Sequence, residues 1–306
     1  MPAEPPLAIV GPTAAGKTEA ALPIAEALGA EIVSVDSATI YRGMDVGTAK
    51  PTAAQRARVP HHLLDVADPD ETFTVARYQA LARSAIDGIR ARGHRVLLVG
   101  GSGLYLRAIV DDLVFPPTDA TTRSELEAEA ALVGAVAMHE RLRTLDPTAA
   151  GRIEPDNVRR TVRALEVAGL TGRAFSEFST GWDAYPPGRV RAAGIELPRA
   201  ILAERIERRV RDQIEHGLVQ EVRSLEHAGY TSSITARQVI GYAEVSLHLA
   251  GELSIEGVVR LTVKRTKALA RRQMAWFRRD PRIRWFRAGS DGAAGVADEI
   301  LEHLRG

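Results

Sequence analysis

The fold of this chain is decided by the stretch Gly11-Pro12-Thr13-Ala14-Ala15-Gly16-Lys17-Thr18. It matches the pattern GxxxxGK[ST], follows the apolar run Leu7–Val10 and precedes a helical pattern. The N–H groups of such a loop converge on an anion at a helix N-terminus, where the helix dipole favours negative charge. We therefore predict a nucleotide or diphosphate site in which Lys17 neutralises phosphate oxygens and Thr18 holds Mg²⁺ or a phosphate oxygen. The alternative is a glycine-rich turn without a ligand.

The composition is that of a globular protein. Its 306 residues are 45% hydrophobic and 26% charged, which suits one or two domains with a sizeable core. No apolar run approaches the roughly 18 residues of a membrane span, and the N-terminus lacks a signal-peptide pattern, so we expect a cytoplasmic protein with no membrane segment. Cysteine is absent, which excludes disulfides, thiolate catalysis and cysteine-ligated metal sites.

The order of strand and helix patterns predicts an α/β protein with a P-loop NTPase-like parallel sheet. Strands are expected at residues 7–10, 31–35, 62–66, 95–99, 192–197 and 283–286. From residue 116 the pattern is helical only, so we predict a catalytic core at 1–115 and 182–306 and an inserted helical domain at 116–181. The core should end in long helices at residues 199–216, 218–228, 236–249 and 255–278.

Two polar residues follow predicted strands. Asp36 ends the second strand, and Ser102 lies in the turn Gly100-Gly101-Ser102-Gly103 after the fourth. Because the carboxyl ends of parallel strands line the ligand crevice, we expect both residues beside the phosphate loop. Asp36 could there accept a proton or help to hold a metal, and Ser102 could present its hydroxyl. The alternatives are a turn or helix-capping aspartate and an ordinary glycine-rich turn.

Positive charge is concentrated near the C-terminus, although the formal net charge is only +1. The segment from Arg260 to Arg287 contains many Lys and Arg residues but a single acidic residue, Asp280. Within this segment Arg271-Arg272-Gln273-Met274-Ala275-Trp276-Phe277-Arg278 combines phosphate-pairing cations with aromatic rings that can stack on bases, which indicates RNA binding. The alternative is an amphipathic helix with Trp276 and Phe277 in the core and the arginines in solvent.

Two arginines of a predicted helix are candidates for the same phosphate site. Arg205 and Arg209 lie four residues apart and so share one helix face, from which they could reach diphosphate oxygens. The alternative is a pair of solvated arginines on a charge-rich helix.

Six blocks together resemble the bacterial type of the tRNA dimethylallyltransferase family, also called tRNA isopentenyltransferases. They are residues 11–18, 35–37, 60–62, 100–105, 271–278 and the most specific block, Tyr41-Arg42-Gly43-Met44-Asp45-Val46-Gly47-Thr48-Ala49-Lys50-Pro51. The resemblance implies transfer of a dimethylallyl group from dimethylallyl diphosphate to the exocyclic amine of the adenosine 3′-adjacent to the anticodon in tRNA. Diphosphate would leave. A small-molecule P-loop kinase and a non-catalytic RNA-binding protein remain as alternatives.

The resemblance also implies roles for particular residues. Asp36 would take the amine proton, and Thr18 would hold Mg²⁺. Ser102 stands where the family usually has threonine, and Arg209 matches an arginine of the donor site. These four residues form the expected catalytic set. The protein is expected to be a monomer. The resemblance also implies contacts to the tRNA anticodon stem-loop, made by Asp36, Ser37, Ala38, Thr39, Ser102, Arg123, Arg159, Arg160, Thr161, Val162, Arg163, Gln238, Arg271, Arg272, Gln273, Trp276 and Arg278. Gln238 replaces a common family arginine, and Ala38-Thr39 a frequent Met-Gln pair.

Overall fold

A computed structural model describes residues 4–179, 181–230 and 239–306 of the chain. These residues contain one six-stranded sheet in the order β3-β2-β4-β1-β5-β6, with every neighbouring pair parallel. The strands are β1 (Leu7–Val10), β2 (Ala30–Val35), β3 (His61–His62), β4 (Arg95–Gly100), β5 (Arg191–Glu196) and β6 (Ile283–Arg287). The predicted fold class, a parallel α/β sheet of the P-loop type, is confirmed.

Helices connect the strands and extend the chain beyond them. In chain order they are α1 (Lys17–Leu28), α2 (Ala53–Arg58), α3 (Val75–Ala91), α4 (Gly103–Val110), α5 (Ala120–Val133), α6 (Ala135–Leu145), α7 (Pro147–Ala150), α8 (Val158–Thr171), α9 (Arg199–Glu215), α10 (Leu218–His227), α11 (Tyr242–Leu249), α12 (Ile255–Phe277) and α13 (Ala297–Arg305). Side-chain hydrogen bonds cap the N-termini of several helices. The Thr74 side chain accepts a hydrogen bond from the Arg77 N–H before α3, and the Asn157 side chain accepts one from the Arg160 N–H before α8.

The sheet is covered on both faces, which explains its continuous apolar strands. All four residues of β1 are buried. Ile9 belongs to a cluster with residues of α1 and α13, whereas Val10 belongs to a second cluster with residues of α3 and α4. Alternate residues of a strand point to opposite faces, so one apolar strand serves both clusters.

The strand register brings three strand ends to one edge. Gly100 at the end of β4 lies opposite both Val10 of β1 and Val35 of β2. The segments that follow these strands, which start with Gly11, Asp36 and Gly101, therefore leave the sheet side by side.

Two of the predicted elements differ from the structure. The third strand was predicted at 62–66 but spans only His61–His62, because Leu63 and Asp65 have φ of 64° and 57°, outside the range of a strand. The helix predicted at 236–249 begins at Tyr242, after Gly241 with φ of 103°. Residues 236–238 of that prediction lie outside the part of the chain that the structure describes.

The chain divides into two compact units. Unit 1 comprises Met1–Asp112 and Tyr185–Gly306, and unit 2 comprises Leu113–Ala184. Unit 2 has its own apolar core, which includes Leu126, Met138, Leu142 and Leu165. The residues 116–181 predicted as a helical insertion fall within unit 2. None of the helices in the described ranges combines the length and apolarity that a membrane span needs.

Candidate active site

The phosphate loop connects β1 to α1. It reverses direction through Ala14 and Gly16, whose φ values of 63° and 84° are left-handed, and Gly16 is the residue before the helix. The ammonium of Lys17 lies over the loop, where it donates to the carbonyls of Gly11 at 3.1 Å and Pro12 at 2.8 Å. A loop of this shape presents backbone N–H groups at the positive end of α1.

Two side chains from distant helices hold this loop. The Thr13 N–H donates to Oε1 of Gln273 on α12 at 2.8 Å, and Nε of Arg205 on α9 donates to the Ala14 carbonyl at 2.9 Å. Gln273 was predicted as a tRNA contact and Arg205 as a diphosphate contact. The structure places both against the loop backbone, so each fixes the shape of the phosphate site.

The loop opens into a cavity of about 370 Å³ within unit 1. Its walls come from the phosphate loop, from the end of β2, from the segment after Asp45 and from α9. They include Thr13, Ala14, Gly16, Lys17, Thr18, Asp36, Thr39, Thr48, Ala49, Pro51, Arg205, Arg208, Arg209, Asp212 and Gln273. The structure thus brings together the predicted residues Lys17, Thr18, Asp36 and Arg209.

Several lining residues were missed by sequence reasoning. Arg208 and Asp212 lie four residues apart on α9, beside the predicted Arg205 and Arg209, so the helical period contained a signal for them. Thr48, Ala49 and Pro51 belong to the block 41–51 that carried the family resemblance, but no role had been given to them.

The cavity is strongly cationic at its closed end. Burial lowers the pKa of Lys17 to about 8, although the nearby Asp36 raises it, and the positive charge of Arg209 lowers it further. Burial also lowers the pKa of Arg209, again opposed by Asp36. Two desolvated cations that share one nearby carboxylate form a site for an anionic ligand, which would compensate both of them.

Asp36 and Ser102 lie near each other at the strand ends. The carboxylate of Asp36 accepts the Ala38 N–H at 2.8 Å, which is a turn contact, and also lines the cavity. The Ser102 hydroxyl accepts the Ser37 N–H at 3.3 Å, and the Ser102 N–H donates to the Val35 carbonyl at 3.1 Å. Ser102 is not among the residues that line the cavity, so its observed contacts order the exposed turn at Ser37.

The predicted tRNA contacts of unit 1 differ in exposure. Arg271 and Arg272 are exposed and form no ion pair with any residue that the structure describes, whereas Arg278 pairs with Glu196. Trp276 is 37% exposed and Phe277 is buried. The Thr39 hydroxyl is hydrogen-bonded to the Ser34 hydroxyl at 2.9 Å and is buried. Phe277 packs in the core as the amphipathic alternative expects, Trp276 does so only in part, and RNA binding by the exposed arginines stays a prediction.

The predicted tRNA contacts of unit 2 surround a buried carboxylate. Arg123 and Arg163 both pair with Glu166 at 2.7 Å, and Glu166 is fully buried. Thr161 and Val162 are also buried, which leaves Arg159 and Arg160 as the members of residues 159–163 that are well exposed. The RNA contacts of this stretch stay a prediction. Gln238 lies outside the described residues.

A second cavity in unit 1 extends the cationic surface beside Arg271. It measures about 490 Å³ and lies between α9 and α12. Its charged lining residues are Glu207, Arg211, Glu256, Arg260, Lys264, Lys267 and Arg271. Cations therefore outnumber acids along this groove, as expected for a surface that meets a polyanion.

The first cavity offers hard oxygen ligands for a cation. The Thr18 hydroxyl and the Asp36 carboxylate both line it. Mg²⁺ commonly uses one or two protein oxygens and completes its shell with water and substrate phosphates, so these residues fit that ion. Within the described ranges, no group of three or more His, Asp or Glu is arranged around a common metal position.

Donor affinity is expected to fall as the pH rises above about 8. Lys17 has a pKa of about 8 in the protein without ligand, so above that pH a proton must be taken up before the ammonium can pair with diphosphate. The loss should reach about tenfold per pH unit, since each unit lowers the protonated fraction tenfold. Binding of dimethylallyl diphosphate without tRNA, measured by calorimetry from about pH 7 to 9, tests this. Lys17→Arg stays charged, and the same decline in that variant would contradict the role of Lys17.

The fold and the site together define the class of protein. A parallel sheet with a GxxxxGK[ST] loop after an inner strand, and a cationic cavity at the strand ends, define a P-loop protein that binds a phosphorylated ligand. The family model described as IPP transferase matches residues 39–280. The chain therefore belongs to the IPP transferase family.

Individual relatives agree over nearly the whole length. A tRNA dimethylallyltransferase of Streptomyces coelicolor is 49% identical over 298 residues, which cover 97% of this chain and 93% of that protein. One of Desulforudis audaxviator is 45% identical and 98% of each chain is covered. The crystal structure of a tRNA isopentenylpyrophosphate transferase from Bacillus halodurans is 37% identical with a TM-score of 0.70, covering 99% of this chain and 97% of that one. The family resemblance of the sequence blocks is confirmed.

Proposed function

We propose that the protein transfers a dimethylallyl group from dimethylallyl diphosphate to the exocyclic amine of the adenosine 3′-adjacent to the anticodon in tRNA. The observation that carries this proposal is the cavity in which Lys17 and Arg209 lie with Asp36. Two cations that would bind a diphosphate line the same cavity as one carboxylate that would take a proton. The names of the relatives, tRNA dimethylallyltransferases, support the same reaction.

The geometry suggests how the reaction proceeds. The loop N–H groups, Lys17 and Arg209 would neutralise the charge that grows on the diphosphate as the allylic carbon–oxygen bond breaks. The amine nitrogen forms the new carbon–nitrogen bond, and its surplus proton passes to the carboxylate of Asp36. Diphosphate leaves with the electron pair of the broken bond, so atoms and charges balance without a phosphoryl transfer.

A magnesium ion fits this reaction. Thr18, with Asp36 nearby, would hold Mg²⁺ against the diphosphate oxygens, and the ion would supply further positive charge for the leaving group. We infer that transfer depends on Mg²⁺ and that the protein acts as a monomer in the cytoplasm. Removal of the ion by a chelator should stop transfer. Recovery of transfer with zinc or calcium but not with Mg²⁺ would contradict this role of Mg²⁺.

The adenosine must leave its base stack to reach the cavity, as for other enzymes that modify a base. We infer that residues around the cavity and the cationic face of α12 receive the surrounding RNA. The exposed predicted contacts are Ser37, Arg159, Arg160, Arg271, Arg272, Trp276 and Arg278, of which Arg278 pairs with Glu196. These fit phosphate pairing and base stacking.

One assay separates this function from a small-molecule kinase, which the names of the relatives do not favour. Unmodified tRNA with adenosine next to the anticodon would be incubated with labelled dimethylallyl diphosphate, with and without Mg²⁺. Label in that adenosine supports the proposal. Absence of transfer, together with phosphorylation of a small molecule by ATP, would support the kinase, and tRNA binding with neither reaction would support an RNA-binding protein.

Substitution of Arg271 and Arg272 by alanine should weaken tRNA binding by electrostatics alone. Each arginine that meets a phosphate adds about 0.7 to 0.9 to the slope of log affinity against log salt, so the double variant should lose about 1.5 from that slope. Titrations of tRNA from about 50 to 200 mM salt measure it. An Arg58→Ala variant serves as control because Arg58 lines neither cavity and pairs with Glu26. An unchanged slope in the double variant would place these arginines away from the RNA.

A further inference from the structure

One wall of the candidate active site is made by a segment without regular secondary structure. Thr48, Ala49 and Pro51 line the cavity opposite the phosphate loop. The segment also contacts the donor-site arginine, because Nη2 of Arg209 donates to the Thr48 carbonyl at 3.4 Å. The position of this segment therefore affects both the shape of the cavity and the guanidinium of Arg209.

A single carboxylate outside the cavity holds the segment by its backbone. Glu221 of α10 accepts three successive N–H groups: Asp45 at 2.8 Å, Val46 at 2.7 Å and Gly47 at 3.0 Å. Glu221 is not one of the residues that line the cavity. Hydrogen bonds to an ionised acceptor are about twice as strong as neutral ones, and three of them on one carboxylate fix the segment in position.

Two further residues complete this support. The Tyr242 hydroxyl donates to Oε1 of Glu221 at 2.6 Å, and burial raises the pKa of Tyr242, so it stays a donor. A Cβ on Gly47 would lie 2.5 Å from the Tyr242 ring, so the ring and the backbone fit only with glycine there. Nε2 of Gln213 donates to the carbonyls of Val46 and Gly47, both at 2.8 Å.

We propose that Glu221 is a positioning residue for the reaction, which acts by fixing residues 45–47 and through them the cavity wall at Thr48 and the guanidinium of Arg209. This inference rests on the proposed function for its effect on catalysis. The contacts themselves do not depend on it. A carboxylate suits this position because the two oxygens of Glu221 together accept from four donors, three backbone N–H groups of the segment and the Tyr242 hydroxyl.

The variant Glu221→Gln tests the proposal with little change in volume. Its amide carries one acceptor oxygen, so its NH₂ group must face at least one pair of the four donors. We expect exchange of the amide protons at residues 45–47 to accelerate about tenfold or more. The single-turnover rate of transfer should fall about 10- to 100-fold, because displacement of a reacting group by about 1 Å can cost 100-fold. The affinity for tRNA should stay within about threefold of that of the unaltered protein, because residues 45–47 support the wall of the donor site rather than a proposed tRNA contact.

Two further variants serve as a control and as a second test of the proposal. Glu226→Gln makes the same change of charge on the same helix, and the Glu226 side chain has no hydrogen-bond partner among the described residues, so this variant should leave both exchange and rate unchanged. Gln213→Ala removes the two bonds to the Val46 and Gly47 carbonyls and should lower the rate about three- to tenfold, so the proposal stays testable if Glu221→Gln folds poorly. Circular dichroism and thermal unfolding establish folding for each variant.

The outcomes separate the possibilities. Faster exchange with a lower rate in the folded fraction, counted by active-site titration, supports positioning. Faster exchange with an unchanged rate in both Glu221→Gln and Gln213→Ala would overturn it, and so would a rate loss explained by fewer folded molecules. If the unaltered protein transfers no dimethylallyl group, the proposed function fails. The exchange measurement and the affinity for dimethylallyl diphosphate then still decide whether Glu221 shapes the cavity.

Discussion

Substitution of Asp36 by asparagine is expected to lower the rate of dimethylallyl transfer by a factor of about 10² to 10⁴, the usual contribution of a positioned general base. Asparagine keeps an oxygen that can accept the Ala38 N–H, the contact that Asp36 makes at 2.8 Å. It removes the carboxylate that we propose takes the amine proton. It also removes the negative charge that favours the cationic forms of Lys17 and Arg209, so the rate should be measured at saturating donor, where a change in donor affinity does not affect it.

Single-turnover transfer and tRNA binding should be measured on the same preparations. The affinity for tRNA should stay within about twofold if Asp36 acts on the proton rather than on the RNA. Asp36→Ala should lose the same activity, and Asp298→Asn, which changes an aspartate of helix α13 that does not line the cavity, should lose none. A transfer rate within threefold of the original would remove Asp36 as the base. A parallel loss of tRNA binding would assign it to recognition instead.

The core of the site could be predicted because its parts follow strands. The phosphate loop is a continuous piece of chain whose shape follows from its glycines and the flanking strand and helix. Asp36 could be placed beside it because parallel strands end at one edge, and the register of Val10, Val35 and Gly100 agrees. For these residues, sequence neighbours determine the position.

Contacts between distant parts of the chain could not be predicted in this way. Gln273 lies 260 residues from Thr13 and yet accepts its N–H. The sequence around Gln273 gave only its cationic and aromatic neighbours, which point to RNA. The support of residues 45–47 by Glu221 is of the same kind, since no local pattern shows which backbone groups a helical glutamate meets.

The error at the third strand has a local cause that the apolar pattern hides. Asp65 lies within the apolar stretch and pairs with Lys50 at 2.6 Å and with Arg56 at 2.7 Å. The side chain of Lys50 is almost fully buried, so its ammonium needs a partner such as the Asp65 carboxylate. The backbone turns at Leu63 and Asp65, which brings this carboxylate to Lys50 and ends the strand after His62.

Substitution of Lys17 by alanine is expected to weaken the binding of dimethylallyl diphosphate about 10- to 100-fold, as for the loss of a hydrogen bond to a charged group. The rate of transfer should fall further, by about 10² to 10³, because the ammonium meets the charge that appears on the leaving diphosphate. Lys17 lines the cavity and is only partly exposed, so water replaces the ammonium incompletely. Arg209 and the loop N–H groups would account for the remaining activity.

The design of the Lys17 test follows from the position of the residue. Calorimetry with dimethylallyl diphosphate gives the loss of affinity, and single-turnover transfer at saturating donor gives the loss of rate. Lys17→Arg keeps the charge but carries it on a wider, planar group, so it should restore part of the affinity and little of the rate. The affinity for tRNA should not change in either variant. If donor affinity were the same in Lys17→Ala as in the unaltered protein, the cations of α9 would have to hold the diphosphate without the loop. The proposed contact between the diphosphate and the phosphate loop would then be wrong.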